Sequence, residues 1–363
     1  MPASWKYFAF RTVNVVIVLI IVTFILSAAF STMAEEELEV TARNQAAADL
    51  QARDTWGEDE DPAEYYENQV ERYRERYNLD QPRWRRIFDS AVDVLVLDFG
   101  RAQEMEEGGS SQVTDIIMTY LPRTILLFTT AAAIYTALGI LVGLKAAQVA
   151  GSKMDKALSL FGITATSLPM WWIGMVLIVI FVHGQGWFPR PSPRFPDYGE
   201  MGLWSYLFSF DRHDPGILFK MLLPLTAIII NLFGGRAWVT RNLVTGILQD
   251  DYIMAARAKG VPERKVIYGH TLKTAAPPVV TSAILALLMS MAGALISEII
   301  FAWPGMGYLL RTAIFTYTDV PVIIGVAFVT AFLYIFGYYI ADILYGFLDP
   351  RVEVGTSKQM GGR

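Results

Sequence analysis

The sequence predicts an all-α integral membrane protein with six transmembrane helices and a large external loop after the first. Three observations carry that expectation. The 363 residues are 53% hydrophobic and 18% charged, with a mean hydropathy of +0.36, whereas soluble domains carry roughly a quarter charged residues. The apolar residues gather in six runs, at 13–30, 116–144, 157–182, 217–233, 277–303 and 320–348. Each approaches or exceeds the ~20 residues needed to cross a hydrocarbon core about 30 Å thick. Finally, positive inter-run segments alternate with negative or neutral ones.

The first run follows a basic start (Lys6, Arg11) and is longer than the core of a cleaved leader, so it reads as a retained helix. Segment 32–115 holds nine bases against 22 acids, net −13, and forms the one sizeable non-membrane region. Its tyrosines (Tyr65, Tyr66, Tyr73, Tyr77) and Trp84 recur at helix-compatible spacings, which predicts a small helical subdomain. Segments 1–12 and 145–156 are each +2, 236–275 is +4 and 348–363 is +1, while 184–218 is −1 and 304–319 is neutral. Positive short loops mark the cytoplasmic side, which places both termini there. The expected organisation is 1–31 for the cytoplasmic N-terminus and first helix, 32–115 for the acidic external region, 116–348 for the core, and 349–363 for a cytoplasmic tail. The stretch 187–196 is rich in proline and aromatics and reads as a rigid loop with interfacial anchors. The external acid and an excess of arginine over lysine fit a halophilic or archaeal exterior as well as they fit an ordinary acidic loop.

Chemistry of its own is not expected of this chain. Cysteine is absent, so there is no thiolate or disulfide chemistry. No phosphate-binding glycine loop occurs, and His183, His213 and His270 are far apart with no metal-ligand spacing. Nothing in the pattern calls for nucleic acid. The most informative stretch is 251–272, a basic island between apolar runs. Asp250 and Asp251 suit a helix start, Gly260 suits a left-handed stop, and Pro262 suits the first turn of a second helix. Read alone, the island is either a positive-inside anchor or a dock for a cytoplasmic partner. Glu298 and Asp342 are acids within or beside apolar runs, and such acids face an interior, an aqueous path or a local hydrogen-bonded turn. Gly139-x-x-x-Gly143 offers a close helix-packing face.

The island also carries a resemblance. Met254-Ala-Ala-x-x-x-Gly260, followed by His270-x-Leu272, resembles the EAA motif of ABC importer permeases, with Met254 where the triplet has glutamate and Leu272-Lys273 where the family has Leu-Pro. Leu97-Asp-Phe-Gly100, Leu121-Pro-Arg-Thr124, Ser167-Leu-Pro-Met-Trp-Trp-Ile-Gly174, Glu298-Ile-Ile-Phe-Ala-Trp-Pro-Gly-Met-Gly307 and Asp342-Ile-Leu-Tyr-x-x-Leu-Asp-Pro-Arg351 resemble further signatures of the dipeptide/oligopeptide/nickel branch.

The resemblance implies the type I ABC importer permease fold in the cell (inner) membrane, and no enzymatic activity. It implies a coupling loop at 250–275 in which Met254, Ala255, Ala256, Arg257, Lys259, Gly260, Glu263, Arg264 and His270 meet the ATPase. Glu298, Trp303, Pro304 and Gly305 become candidates for the pathway or external gate. Implied partners are a second homologous permease, two cytoplasmic ATPase subunits that hold ATP and Mg, an extracellular solute-binding protein and the lipid bilayer. No cofactor is implied on this chain. Peptides are the leading cargo, with nickel or oligosaccharides as alternatives. The rival class, an ATP-independent secondary carrier, calls for mid-membrane ion sites on an inverted repeat, and neither feature is evident in the sequence.

Overall fold

The computed structural model describes residues 5–53, 61–194, 207–211, 213, 215–290 and 295–348. Their regular structure is helical, with isolated β-bridges only at Arg101–Gln112, Glu107–Ser110 and Phe210–Pro215. The chain divides into two compact units, one of residues 1–15, 120–309 and 333–363 and the other of 16–119 and 310–332. The tail 349–363, residues 58–60 of the acidic cluster and the end of the proline-rich loop at 195–196 lie outside the described residues.

Among the described residues, four helices contain segments long and apolar enough to cross a membrane. These are Ala9–Met33 within α1 (Trp5–Gln51), α4 (Val113–Gln148), α7 (Ile217–Ile247) and Val320–Ile343 within α13 (Val320–Leu348). Taken together, α5 (Lys153–Ser167) and α6 (Met170–Leu177) with a π-helical extension Ile178–Gly184 make a fifth candidate, a pair bent by 98°. The run at 277–303 falls on α10 (Leu272–Ser290) and α11 (Leu295–Ile300), with 291–294 outside the described residues. Short helices complete the order: α2 (Pro62–Arg76), α3 (Arg83–Leu95), α8 (Asp251–Ala258), α9 (Glu263–Lys265) and α12 (Met306–Thr312).

Three helices depart from the expected bounds. The first does not stop near residue 30. No glycine or proline occurs between Trp5 and Gln51, and the alanine-rich stretch beyond Val40 favours helix, so α1 continues past its apolar segment. The 31/32 division therefore lies inside a helix. Likewise α7 runs through Gly234-Gly235, so Arg236 and Arg241 sit on the helix rather than after it. The third span breaks at Pro169, before which Leu168 is extended (φ −88°, ψ 135°), the backbone that a following proline favours. Proline also deprives the Ala165 carbonyl of its i+4 donor. Asn231 of α7 fills that place, its Nδ2 donating to the carbonyls of Ala165 and Leu168, both at 2.9 Å.

In the first unit α7 is the central helix. It shares one buried cluster with Leu127, Phe128 and Ala131 of α4 and with Trp303, and another with Ile173 and Leu177 of α6 and with Phe301. Gly139 and Gly143 pack within the chain. A Cβ on either would fall 2.5 Å from the Arg236 side chain or 2.4 Å from the Ala237 carbonyl. Asp342 pairs with Arg11 at 3.4 Å.

In the second unit α2 folds back on the extension of α1. The Tyr73 hydroxyl donates to Asp49 at 2.7 Å and that of Tyr77 to Gln45 at 2.8 Å, so the expected tyrosine-bearing helix is present. Asp319 is fully buried before α13 and accepts from the amides of Gln103, Glu104 and Met105 at 2.8, 3.0 and 3.2 Å. Glu37 lies nearby, beyond the apolar segment of α1. Burial pushes its carboxyl up to about 7, the Val320 amide opposes that rise, and Asp319 and Glu104 add to it. One Glu37 oxygen, Oε2, is enclosed without a hydrogen-bond partner among the described residues. At Glu37 the folded protein thus holds a proton that the unfolded chain releases between about pH 4 and 7, and the contribution of this group to stability falls as pH rises through that window. Glu37→Gln is expected to flatten the slope and to stabilise the protein at pH 8 by on the order of 1–3 kcal/mol, read from thermal unfolding at pH 5 and 8.

Candidate functional site

The basic island folds as a tight turn between two short helices. Asp250 takes the extended conformation of a helix cap, without a side-chain cap bond, and Asp251 supplies negative charge to the first turn of α8. Gly260 ends the helix at φ +76°. The Gly260 amide donates to the Arg257 carbonyl at 2.9 Å and the Val261 amide to that of Ala256 at 3.2 Å, the paired bonds of a Schellman motif. A side chain at that φ is strained, so glycine belongs there. Pro262 stands one residue earlier than a first-turn reading gives. It caps α9 at φ −54°, ψ 138°, and its carbonyl accepts from Lys265 at 2.8 Å and Val266 at 3.1 Å.

The turn is anchored from beneath. Ile253, Val266 and Thr271 are fully buried, and Ile267 joins a cluster with Leu144 and Ala147 of α4, Val244 of α7, and Ala275 and Val279 of α10. A π-helical stretch Val266–Thr271 leads from α9 directly into α10. Packed side chains thus tie the turn to α4, α7 and α10.

Its outer surface holds most of the residues singled out from sequence. Met254, Ala255, Arg257, Lys259, Gly260, Glu263, Arg264 and His270 are exposed, and Ala256 is half-buried. Arg257 and Glu263 face each other. Arg257 Nη2 donates to Glu263 Oε1 at 2.7 Å and Nε to Oε2 at 3.1 Å, while Nη1 reaches the Leu248 carbonyl at 3.5 Å. The Arg257 hydrogen bonds hold the Glu263 carboxyl below the usual range, and Glu263 raises Arg257 in turn. Two aromatics that sequence reasoning passed over, Tyr252 and Tyr268, are each about half exposed on the same stretch. The Tyr252 hydroxyl donates to Thr274 at 2.9 Å.

Glu298, Trp303, Pro304 and Gly305 also come together, but in the interior. Glu298 is fully buried. Its Oε1 accepts from the Thr124 hydroxyl at 2.7 Å and its Oε2 from the Gly307 amide at 2.6 Å. Thr124 in turn accepts from the Met306 amide at 2.8 Å, and the Trp303 indole donates to the Arg123 carbonyl at 3.1 Å. A Cβ on Gly305 would lie 2.3 Å from Glu298 Oε1. Trp303 and Pro304 border a cavity of about 40 Å³, room for water but not for a solute. In this conformation the four residues form a hydrogen-bonded node that ties the 301–307 turn to α4. Thr124 was quoted only as part of a motif, and its link to Glu298 spans 174 positions.

A further contact was missed. Asp155, at the start of α5, forms a two-point ion pair with Arg241 of α7, at 2.8 Å (Nε to Oδ1) and 2.7 Å (Nη2 to Oδ2). Among the described residues no group of three or more His, Cys, Asp or Glu is arranged to hold a metal ion.

Residues 137–354 match the sequence profile of a family described as binding-protein-dependent transport system inner membrane component. The chain belongs to that family. It is a multi-pass membrane permease subunit of an ABC importer, a family that works with a binding protein and an ATPase. The permease is 30% identical over 283 residues to the oligopeptide transport system permease protein AppB of Bacillus subtilis, covering 78% of this chain and 84% of that one. It is also 30% identical over 285 residues to the di/tripeptide transport system permease protein DppB of Pseudomonas aeruginosa, covering 77% and 83%. At 26% identity over 287 residues stands the peptidoglycan transport system permease protein YejB of Agrobacterium fabrum, covering 78% and 76%.

Proposed function

We propose that this permease forms half of a pathway for imported dipeptides or oligopeptides, paired with a second homologous permease in the cytoplasmic membrane. An external binding protein delivers the solute, and two cytoplasmic ATPase subunits hold ATP and Mg. Both termini and the 250–275 loop face the cytoplasm, in keeping with the positive-inside charge pattern. The exposed face of α8 and α9, from Met254 to Arg264, seats on the ATPase.

The observation that carries the coupling role is the Ile267 cluster, which joins this turn to α4, α7 and α10. ATP binding shifts the ATPase surface, the turn follows, and the three helices move with it. Such a mechanism needs solute and ATP to favour different states of the assembly. The Arg257–Glu263 pair keeps the two short helices at a constant angle so that they move together. The buried Glu298 node serves the outer half by holding the 301–307 turn against α4 while other surfaces part. The peptide cargo follows from the relatives, whose names specify oligopeptides and di/tripeptides.

Reconstitution in proteoliposomes with the partner permease, ATPase pair and binding protein tests the reading. ATP-dependent accumulation of labelled di- and oligopeptides is expected, whereas uptake without ATP would sink it. Gly260→Val bears on coupling, because a β-branched residue at φ +76° is strained by roughly 1–2 kcal/mol. The variant complex is expected to assemble while peptide-stimulated ATP hydrolysis and uptake fall. Gly246→Ala, where an added Cβ meets nothing within 4 Å, should leave both unchanged.

A further inference from the structure

Within the acidic segment expected to lie outside the membrane, α3 is amphipathic and carries large apolar side chains on an exposed face. Trp84, Phe88, Val92 and Val96 recur every four residues and are 70, 51, 40 and 68% exposed. Ala91 and Val94, on the adjoining face, are buried. The polar residues Arg83, Arg85, Arg86, Asp89, Ser90 and Asp93 occupy the rest of the circumference. An exposed stripe of large apolar side chains calls for an occupant.

Its contacts give its depth. At the N-terminal end Arg83 hydrogen-bonds the hydroxyls of Ser31 and Thr32, the former at 3.1 Å, and Arg86 pairs with Glu35 at 3.0 Å. Ser31 and Thr32 stand at the outer end of the apolar segment Ala9–Met33. Five residues along α3, the Phe88 ring lies 5.8 Å from that of Phe24, well inside the same segment. At 1.5 Å per residue Phe24 is about 13 Å below Met33, a substantial part of a hydrocarbon core about 30 Å thick. The helix thus descends beside α1. Phe99, just beyond its end, is a second marker, packing at 5.8 Å on Phe328, which is about 12 Å inside α13 by the same rise.

We propose that α3 is a re-entrant helix in the outer leaflet, its Trp84–Phe88–Val92–Val96 stripe against lipid acyl chains. Trp84 and the arginines lie at headgroup level, where such side chains anchor. The lipid face continues from the apolar surface of α1, on which Val16, Ile17, Ile21 and Ile25 are exposed. The acids fit this placement. Asp89 and Asp93 turn to the other side, onto a cavity of about 410 Å³ shared with Ser27, Ser31 and Gln103, wide enough for water to reach them.

Because the sequence has no cysteine, single nitroxide labels can be placed without background in this chain. Labels at Arg85→Cys, Asp89→Cys, Val92→Cys and Val96→Cys would be read in the assembled transporter, in nanodiscs of phosphatidylcholine and phosphatidylglycerol. At 92 and 96 collisions with oxygen should be frequent and with a water-soluble nickel chelate rare, the ratio exceeding that at 85 and 89 severalfold. Frequent nickel collisions at 92 and 96 would overturn the proposal, as a solvated face. Low access to both reagents would do the same, as a surface covered by the partner permease. Loss of oxygen access on adding the binding protein would make the stripe a docking face and also refute it. If a labelled variant fails to assemble, the parent protein serves. Lipids brominated near the headgroup should quench its tryptophan emission more than that of Trp84→Phe, and equal quenching would count against lipid contact.

Discussion

Gly305→Ala is expected to lower the thermal stability of the permease sharply and to abolish uptake. The added methyl would lie 2.3 Å from Glu298 Oε1 and 2.5 Å from Thr124 Oγ1. The end of a glutamate usually swings aside at little cost, but this one is held at both oxygens, by Thr124 and by the Gly307 amide. It is also fully buried. Moving it breaks those bonds in a buried site, which costs about 1–3 kcal/mol for the stranded polar groups. Forcing an extra carbon into a packed site adds about 1–3 kcal/mol. Together these approach the total stability of many domains. Glu298→Gln is the discriminating control. It keeps the shape and an acceptor for Gly307, so its loss of stability should be clearly smaller. Differential scanning fluorimetry in nanodiscs, together with uptake, reads both variants. If the two behaved alike, the damage would come from the lost acid rather than from crowding at Gly305.

That node shows where sequence reading stops. The glutamate and the Trp-Pro-Gly turn are adjacent in the chain, so their association was legible. Thr124 lies 174 residues away, and no local pattern links it to Glu298. Asn231 is a similar case. The break at Pro169 could be expected from proline chemistry, but not the amide on another helix that satisfies the carbonyl left without a donor. By contrast, the Gly260 turn was readable to within a residue, because a Schellman motif depends only on neighbouring backbone. Helix lengths were misjudged for a different reason. Hydropathy reports the solvent around a segment, whereas helix continues until a residue breaks it. In α1 the two diverge, and the acidic stretch after Met33 remains helical to Gln51.

Asp155→Ala is expected to destabilise the junction of α5 with α7 by about 3 kcal/mol, the lower end of the range for breaking a buried ion pair. The lower end applies because the Arg241 side chain keeps 24% exposure, against 5% for Asp155. Removal of the carboxylate strands a guanidinium and also the Gly151 amide, which donates to Asp155 Oδ2 at 2.8 Å. The Ser152 hydroxyl, accepting from the Asp155 amide at 3.2 Å, completes a cap at the start of α5. Geometry therefore dictates which substitutions rescue. Arg241→Lys loses the two-point contact and should be intermediate. Exchanging the charges, Asp155→Arg with Arg241→Asp, restores a pair in principle but sets a cation at a helix N-terminus and leaves Gly151 without an acceptor. It should fail to recover stability, although a surface ion pair would tolerate the exchange. Thermal unfolding of the single and double variants, analysed as a double-mutant cycle, separates the alternatives. Recovery by the exchanged pair would show that charge alone, and not the cap, holds α5 to α7. The contact also bears on transport, because α5 and α7 cross at Gly162 and Gly234 and are tied at Pro169 by Asn231. With Asp155 and Arg241 joined at the third point, the two helices move as one body. An unpaired Arg241 should lower uptake per ATP hydrolysed even in protein that remains folded.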